Sequence, residues 1–124
     1  LDNIRWVVED ALKFARREAK RGNVYQGIIL DPPAYGHGPD GEKWKLDECL
    51  NDMLKCVSAI LAPTDSFMVL NLYSNGFSAV LGETVVRQNF CLKTGFRELQ
   101  SGELVLTDNY GKKLPLSIVV RLSR

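Results

Sequence analysis

The sequence predicts an α/β fold: a largely parallel sheet with helices between its strands, closed by an antiparallel hairpin. Three observations predict it. Short β-rich runs alternate with stretches of helical periodicity as far as residue 90. Two of those runs are continuously apolar, as strands of a parallel sheet are. The last part of the chain carries two strand-like runs around a turn sequence. No repeat, low-complexity tract or linker divides the 124 residues, so residues 1–124 read as one domain or part of one.

The elements follow in order. Ile4-Arg5-Trp6-Val7-Val8 is a short β-rich run, and Asp10 offers an N-cap for residues 11–21, good helix formers closed by Gly22. Residues 24–30 form the second expected strand, whose Gly27-Ile28-Ile29-Leu30 suits a parallel strand covered on both faces. Asp31-Pro32-Pro33 ends it abruptly. After a loop rich in Gly and Pro, Leu46, Leu50, Met53, Leu54, Val57 and Leu61 recur at helical spacing, with Pro63 just beyond. Residues 66–73 are the third strand, again apolar on both faces, followed by the turn Ser74-Asn75-Gly76. A helix over residues 79–90 comes next. Residues 103–107 and 116–122 then pair through Asp108-Asn109-Tyr110-Gly111, giving the sheet one antiparallel edge.

Composition narrows the function classes. With 45% hydrophobic and 25% charged residues the chain is globular, which excludes disorder and collagen. No apolar run approaches the roughly 20 residues that cross a bilayer, so no membrane partner is expected. Sixteen basic and fifteen acidic residues leave a net charge of +1, and any nucleic-acid surface has to be local. Lys13, Arg16, Arg17, Lys20 and Arg21 gather on the first helix, either as a phosphate-binding face or as cations suited to a helix C-terminus. Cys49, Cys56 and Cys91 lack CxxC or metal-ligand spacing, so no metal is expected and a reducing, cytoplasmic setting is. The chain opens on Leu1 rather than methionine and reads as part of something longer.

In open α/β sheets, ligands bind beyond the carboxyl ends of the strands. The expected strands deliver Glu9-Asp10, Asp31-Pro32-Pro33-Ala34-Tyr35 and Asn71-Leu72-Tyr73-Ser74 to that edge. Two successive prolines fix φ, remove two backbone donors and keep Asp31 and Pro32 out of the helical region, so the carbonyls stand in one rigid pose. Rigid acceptors suit a nitrogen nucleophile, because they bind an amino group and stabilise the positive charge that develops as it attacks a methyl donor. Tyr35 can stack on a planar base. A turn that merely ends a strand is the simpler account of Asp-Pro-Pro. The apolar strand before it and the aromatic and glycine-rich loop after it favour a site.

Leu30-Asp31-Pro32-Pro33-Ala34-Tyr35-Gly36 resembles the fourth conserved motif of class I S-adenosylmethionine-dependent methyltransferases, in the Asp-Pro-Pro-x-aromatic form found in ribosomal RNA large-subunit methyltransferases. Val8-Glu9-Asp10-Ala11-Leu12-Lys13-Phe14 and Gly102-Glu103-Leu104 are similar to that group in the same order, so the resemblance covers nearly the whole chain. It implies a Rossmann-like methyltransferase sheet with a C-terminal antiparallel hairpin. The first strand here would be the family's third, the next two its fourth and fifth, and the hairpin its sixth and seventh. It also implies S-adenosylmethionine as cofactor and RNA methylation, with a nucleobase nitrogen of ribosomal RNA as the leading acceptor. By the same resemblance Asp10 accepts the adenine amino group and Ala11 offers its N–H to the ring. Asp31, Pro32, Pro33 and Tyr35 surround the transferred methyl and the target base, with Asp31 also at the cofactor. Asn71, Tyr73 and Ser74 line the target side, and His37 reaches substrate from the loop. Each has a plainer role beside it: Asp10 as a helix N-cap, the others as solvated turn and loop residues. A protein or small-molecule acceptor stays open, as does a non-catalytic binding module built on a degenerate methyltransferase fold.

The chain departs from the family in two ways. The N-terminal strands and the glycine-rich loop that cradles the methionine end of the cofactor are missing. Residues 1–124 therefore look like the C-terminal part of a single catalytic domain, expected to methylate nothing alone. In addition, Tyr73-Ser74 stand where RNA cytosine-C5 enzymes of this type carry a cysteine nucleophile, and the three cysteines read as small core residues. Transfer to nitrogen fits better. Gly36-His37-Gly38-Pro39-Asp40-Gly41 spells the G-x-G-x-x-G dinucleotide fingerprint. The context is wrong for it, since no helix begins until about Leu46 and Pro39 lies inside the motif. A mobile lid over the target is the expected use, with Trp44 capping the cleft or anchoring the packing.

Overall fold

The computed structural model describes residues 2–38, 40–73, 76–90 and 96–124. In chain order the elements are α1 (Ala11–Arg21), β1 (Gly27–Leu30), β2 (Tyr35–His37), β3 (Lys43–Lys45), α2 (Leu46–Ile60), β4 (Phe67–Leu72), α3 (Ala79–Phe90), β5 (Glu98–Thr107) and β6 (Lys113–Ser123). Helix α1 starts where its cap lies: Asp10 Oδ1 accepts the N–H of Lys13 at 2.7 Å. It stops at Gly22, whose φ of +71° turns the chain left-handed.

The main sheet has the order β1-β4-β6-β5. Strands β1 and β4 are parallel, with Gly27 opposite Phe67 and Leu30 opposite Leu70. Strand β6 runs antiparallel to both β4 and β5. The hairpin is longer than the sequence suggests, and its antiparallel strand lies inside the sheet rather than at an edge. The reason is composition. Ile118, Val120 and Leu122 of β6 are buried, which suits a strand bonded on both sides, whereas β5 carries Glu98, Gln100, Ser101 and Glu103 and takes the edge.

The core lies on one face of the sheet. Leu46, Leu50, Met53, Leu54, Val57 and Ile60 recur along one side of α2 and pack with Met68, Leu70 and Leu72 of β4 and with Val86 and Phe90 of α3. Gly82 lets α3 lie close: a Cβ there would come within 3.2 Å of Val120 Cγ2. On the opposite face Ile29 is 73% and Phe67 48% exposed. Strands β1 and β4 are thus covered on one face only among the described residues, against the expectation of two. Residues 4–8 also differ from expectation, running as irregular chain with Trp6 and Val8 exposed. A strand needs a ladder partner, and none lies beside this run among the described residues.

Gly36 and His37 of the G-x-G-x-x-G segment lie on β2 of the antiparallel β2–β3 pair, opposite Trp44 and Lys43, and Gly41 takes a φ of +85° before β3. Among the described residues the element that follows is the strand β3 and not a helix, so no helix N-terminus follows the motif as dinucleotide binding requires. No helix among the described residues is long and apolar enough to cross a membrane.

Candidate functional site

A cleft of about 380 Å³ opens between the N-terminus of α1, the carboxyl end of β1 and the β2–β3 hairpin. It brings together six of the residues singled out in the sequence: Asp10, Ala11, Asp31, Pro32, Pro33 and His37. Leu12, Leu30, Leu50 and Met53 supply an apolar lining, which suits a flat ring.

At the helix end, Asp10 spends one carboxylate oxygen on the cap of Lys13. Ala11 is the first residue of α1, so its N–H has no acceptor within the helix. A carboxylate beside such a donor is complementary to a heterocycle that presents an amino group next to a ring nitrogen. At the strand end, the Asp-Pro-Pro segment is fixed by its prolines and by two bonds. Trp44 Nε1–H donates to the Pro33 carbonyl at 2.8 Å, and the Leu46 N–H donates to that of Ala34 at 2.8 Å. Trp44 therefore lines the cleft and anchors it too. Asp31 Oδ1 accepts from Asn71 Nδ2 at 2.7 Å.

Other residues do not join this cleft. Tyr35 is 77% exposed on β2 and does not line it. Tyr73 borders a separate hollow of about 220 Å³ with Phe77, Glu103 and Pro115. Asn71 meets the site through its bond to Asp31. Ser74 and Cys91 lie outside the described residues. Cys49 and Cys56 are half-buried free thiols on α2. No group of side chains with metal-ligand potential occurs among the described residues.

The basic helix is largely neutralised. Arg17 makes a two-pronged ion pair with Glu9, Arg21 meets Glu18 at 3.2 Å and Arg16 meets Asp52 at 3.7 Å. Lys13 bridges to Glu42 and to Asp40, the latter at 3.1 Å, and so ties the hairpin to α1. Hydrogen bonds that the Lys13 ammonium donates to Glu42, then Asp40, hold it well above its usual range, and the Arg17 bond holds the Glu9 carboxyl below its own. This fastening is not legible in the sequence, because Asp40 and Glu42 are far from Lys13 along the chain.

The sheet, ordered β1-β4-β6-β5 with one antiparallel strand inside, matches a Rossmann-like fold of the kind found in S-adenosylmethionine (SAM)-dependent methyltransferases. The chain is similar to the SAM-dependent methyltransferase from Agrobacterium tumefaciens, with a TM-score of 0.88 and 35% identity over 97% of its length. It spans 40% of that protein. A protein of Streptococcus mutans described as a candidate SAM-dependent methyltransferase shares the fold with a TM-score of 0.65 and 11% identity, over 93% of this chain and 29% of its own. No protein-family model and no curated protein matches the chain.

Proposed function

We propose that the cleft is the adenine and methyl-transfer end of a SAM site, and that the full-length protein methylates a nucleobase nitrogen, with ribosomal RNA the leading acceptor. One observation carries this reading: a single apolar cleft joins the Asp10–Ala11 pair at one end to the rigid Asp31-Pro32-Pro33 at the other. The likeness to the A. tumefaciens methyltransferase over nearly the whole chain supports it and favours an enzyme over a non-catalytic module.

The residues fit the cofactor. Asp10 and the Ala11 N–H complement the amino group and ring nitrogen of adenine, and the apolar lining takes its faces. Bound there, SAM supplies an electrophilic methyl on a sulfonium. Asp31 and the Pro32 carbonyl orient the acceptor nitrogen and stabilise the positive charge it gains as the N–C bond forms and the sulfur keeps the electron pair of the broken C–S bond. The surplus proton of the acceptor passes to Asp31 or to water. Tyr35 on its exposed strand stacks on the target, His37 contacts it from the hairpin, and Tyr73 meets it from beyond the end of β4.

The test is tritiated-methyl transfer from SAM to unmodified ribosomal RNA transcribed in vitro. Asp31→Ala is expected to lower transfer by about 100-fold or more, the scale of losing one preorganised electrostatic partner, with SAM binding retained. Unchanged transfer would remove Asp31 from the role.

A further inference from the structure

We infer that Asn71 is a positioning residue that acts through Asp31 and makes no contact with substrate; this rests on the methyl-transfer reading of the cleft. Because Leu30 opposes Leu70 in the parallel pair, the next residues, Asp31 and Asn71, emerge side by side at the carboxyl ends of β1 and β4. Asn71 Nδ2 donates to Asp31 Oδ1 at 2.7 Å. Its own Oδ1 is buried and accepts no hydrogen bond among the described residues. One N–H of the amide is thus engaged by the carboxylate, and the amide oxygen is buried. Asn71 is also absent from the lining of the cleft.

The arrangement is costly to the fold, since a buried amide oxygen without a partner loses its hydration. A leucine of similar size would avoid that loss. What the amide supplies is direction. Asp31 is an exposed residue whose carboxylate would otherwise sample several rotamers, and a charge-assisted bond on one oxygen fixes the other as an acceptor.

The experiment needs no methyl acceptor. S-adenosylhomocysteine has nothing at the position of the transferred methyl, whereas sinefungin carries an ammonium there, so the ratio of their Kd values reads whether a well-placed carboxylate faces that point. By calorimetry on the full-length protein, wild type is expected to prefer sinefungin. Asp31→Ala should lower the preference by about tenfold, the size of a hydrogen bond to a charged group. Asn71→Leu should lower it by about fivefold or more with S-adenosylhomocysteine affinity unchanged, and the double variant should fall no further than Asp31→Ala. Asn71→Ser, which restores a donor, should recover part of the preference and serves if the leucine variant does not fold. A merely structural role for Asn71 would weaken both compounds alike and leave the ratio intact, which would overturn the inference, as would losses that multiply in the double variant. Failure of wild type to bind either compound, or a ratio indifferent to Asp31→Ala, would overturn the methyl-transfer reading and the inference with it.

Discussion

Glu18 shows how a single residue can be central to the fold yet hidden in the sequence. It sits within the cationic run of α1, but its side chain turns inward and the residue is 5% exposed. The Tyr25 hydroxyl and the Asn23 amide both donate to Oε2 at 2.7 Å, and Arg21 donates to Oε1 at 3.2 Å. These bonds, Tyr25 foremost, hold the carboxyl below its ordinary value of 4.5. A depressed pKa stabilises the fold above the unfolded value, and that contribution is lost as pH falls through the folded one. Thermal melts from pH 7 to pH 3 should therefore show wild type losing more stability than Glu18→Gln, the two curves converging in acid; parallel curves would contradict the assignment. Asp10 is the opposite case. Its position before a helix made the N-cap legible, and the structure adds that the same side chain lines the cleft. Asp31 was legible because two prolines restrict the backbone whatever surrounds it. Its bond to Asn71 was not, since it spans forty positions and depends on strand register.

Elements with a strong local pattern were readable, and those defined by their neighbours were not. Helix α2 follows from six apolar residues on one side, and α1 from its caps. The β2–β3 hairpin is not legible in the sequence because three-residue strands give too little alternation, and its hold on the Asp-Pro-Pro segment comes from Trp44, distant from Pro33 in the chain. Trp44→Phe keeps an aromatic ring and removes the Nε1–H bond to the Pro33 carbonyl. It should cost about 0.5–1.5 kcal/mol, read from denaturant unfolding, and should weaken SAM binding by loosening the Asp-Pro-Pro segment. An unaltered midpoint and affinity would show that the bond fixes nothing. Gly82 makes a separate prediction for α3. Since even a Cβ there would press within 3.2 Å of Val120, Gly82→Val should cost about 1–3 kcal/mol through overpacking; a stability equal to wild type would mean that α3 can shift outward freely.

At the scale of the molecule, the helices and the buried faces of β4 and β6 make a one-sided core, and the opposite face keeps Ile29 and Phe67 in solvent. The alternation of strands and helices foretold the α/β class, while the place of β6 between β4 and β5 had to come from the sheet itself. The chain spans 40% of the A. tumefaciens methyltransferase it resembles, so its activity is a property to be measured on the full-length protein. We propose that Asp10 and Ala11 form the adenine end of a SAM cleft, and Asp10→Asn separates this role from helix capping. Asparagine caps a helix as well as aspartate does, so the melting temperature should hold. With its oxygen retained by the Lys13 N–H, the amide would turn an N–H toward the adenine amino group, donor against donor. Calorimetric titration with SAM should give saturable binding for wild type and affinity lower by about tenfold or more for Asp10→Asn. No saturable binding by wild type, or equal affinity in the two proteins, would contradict the account.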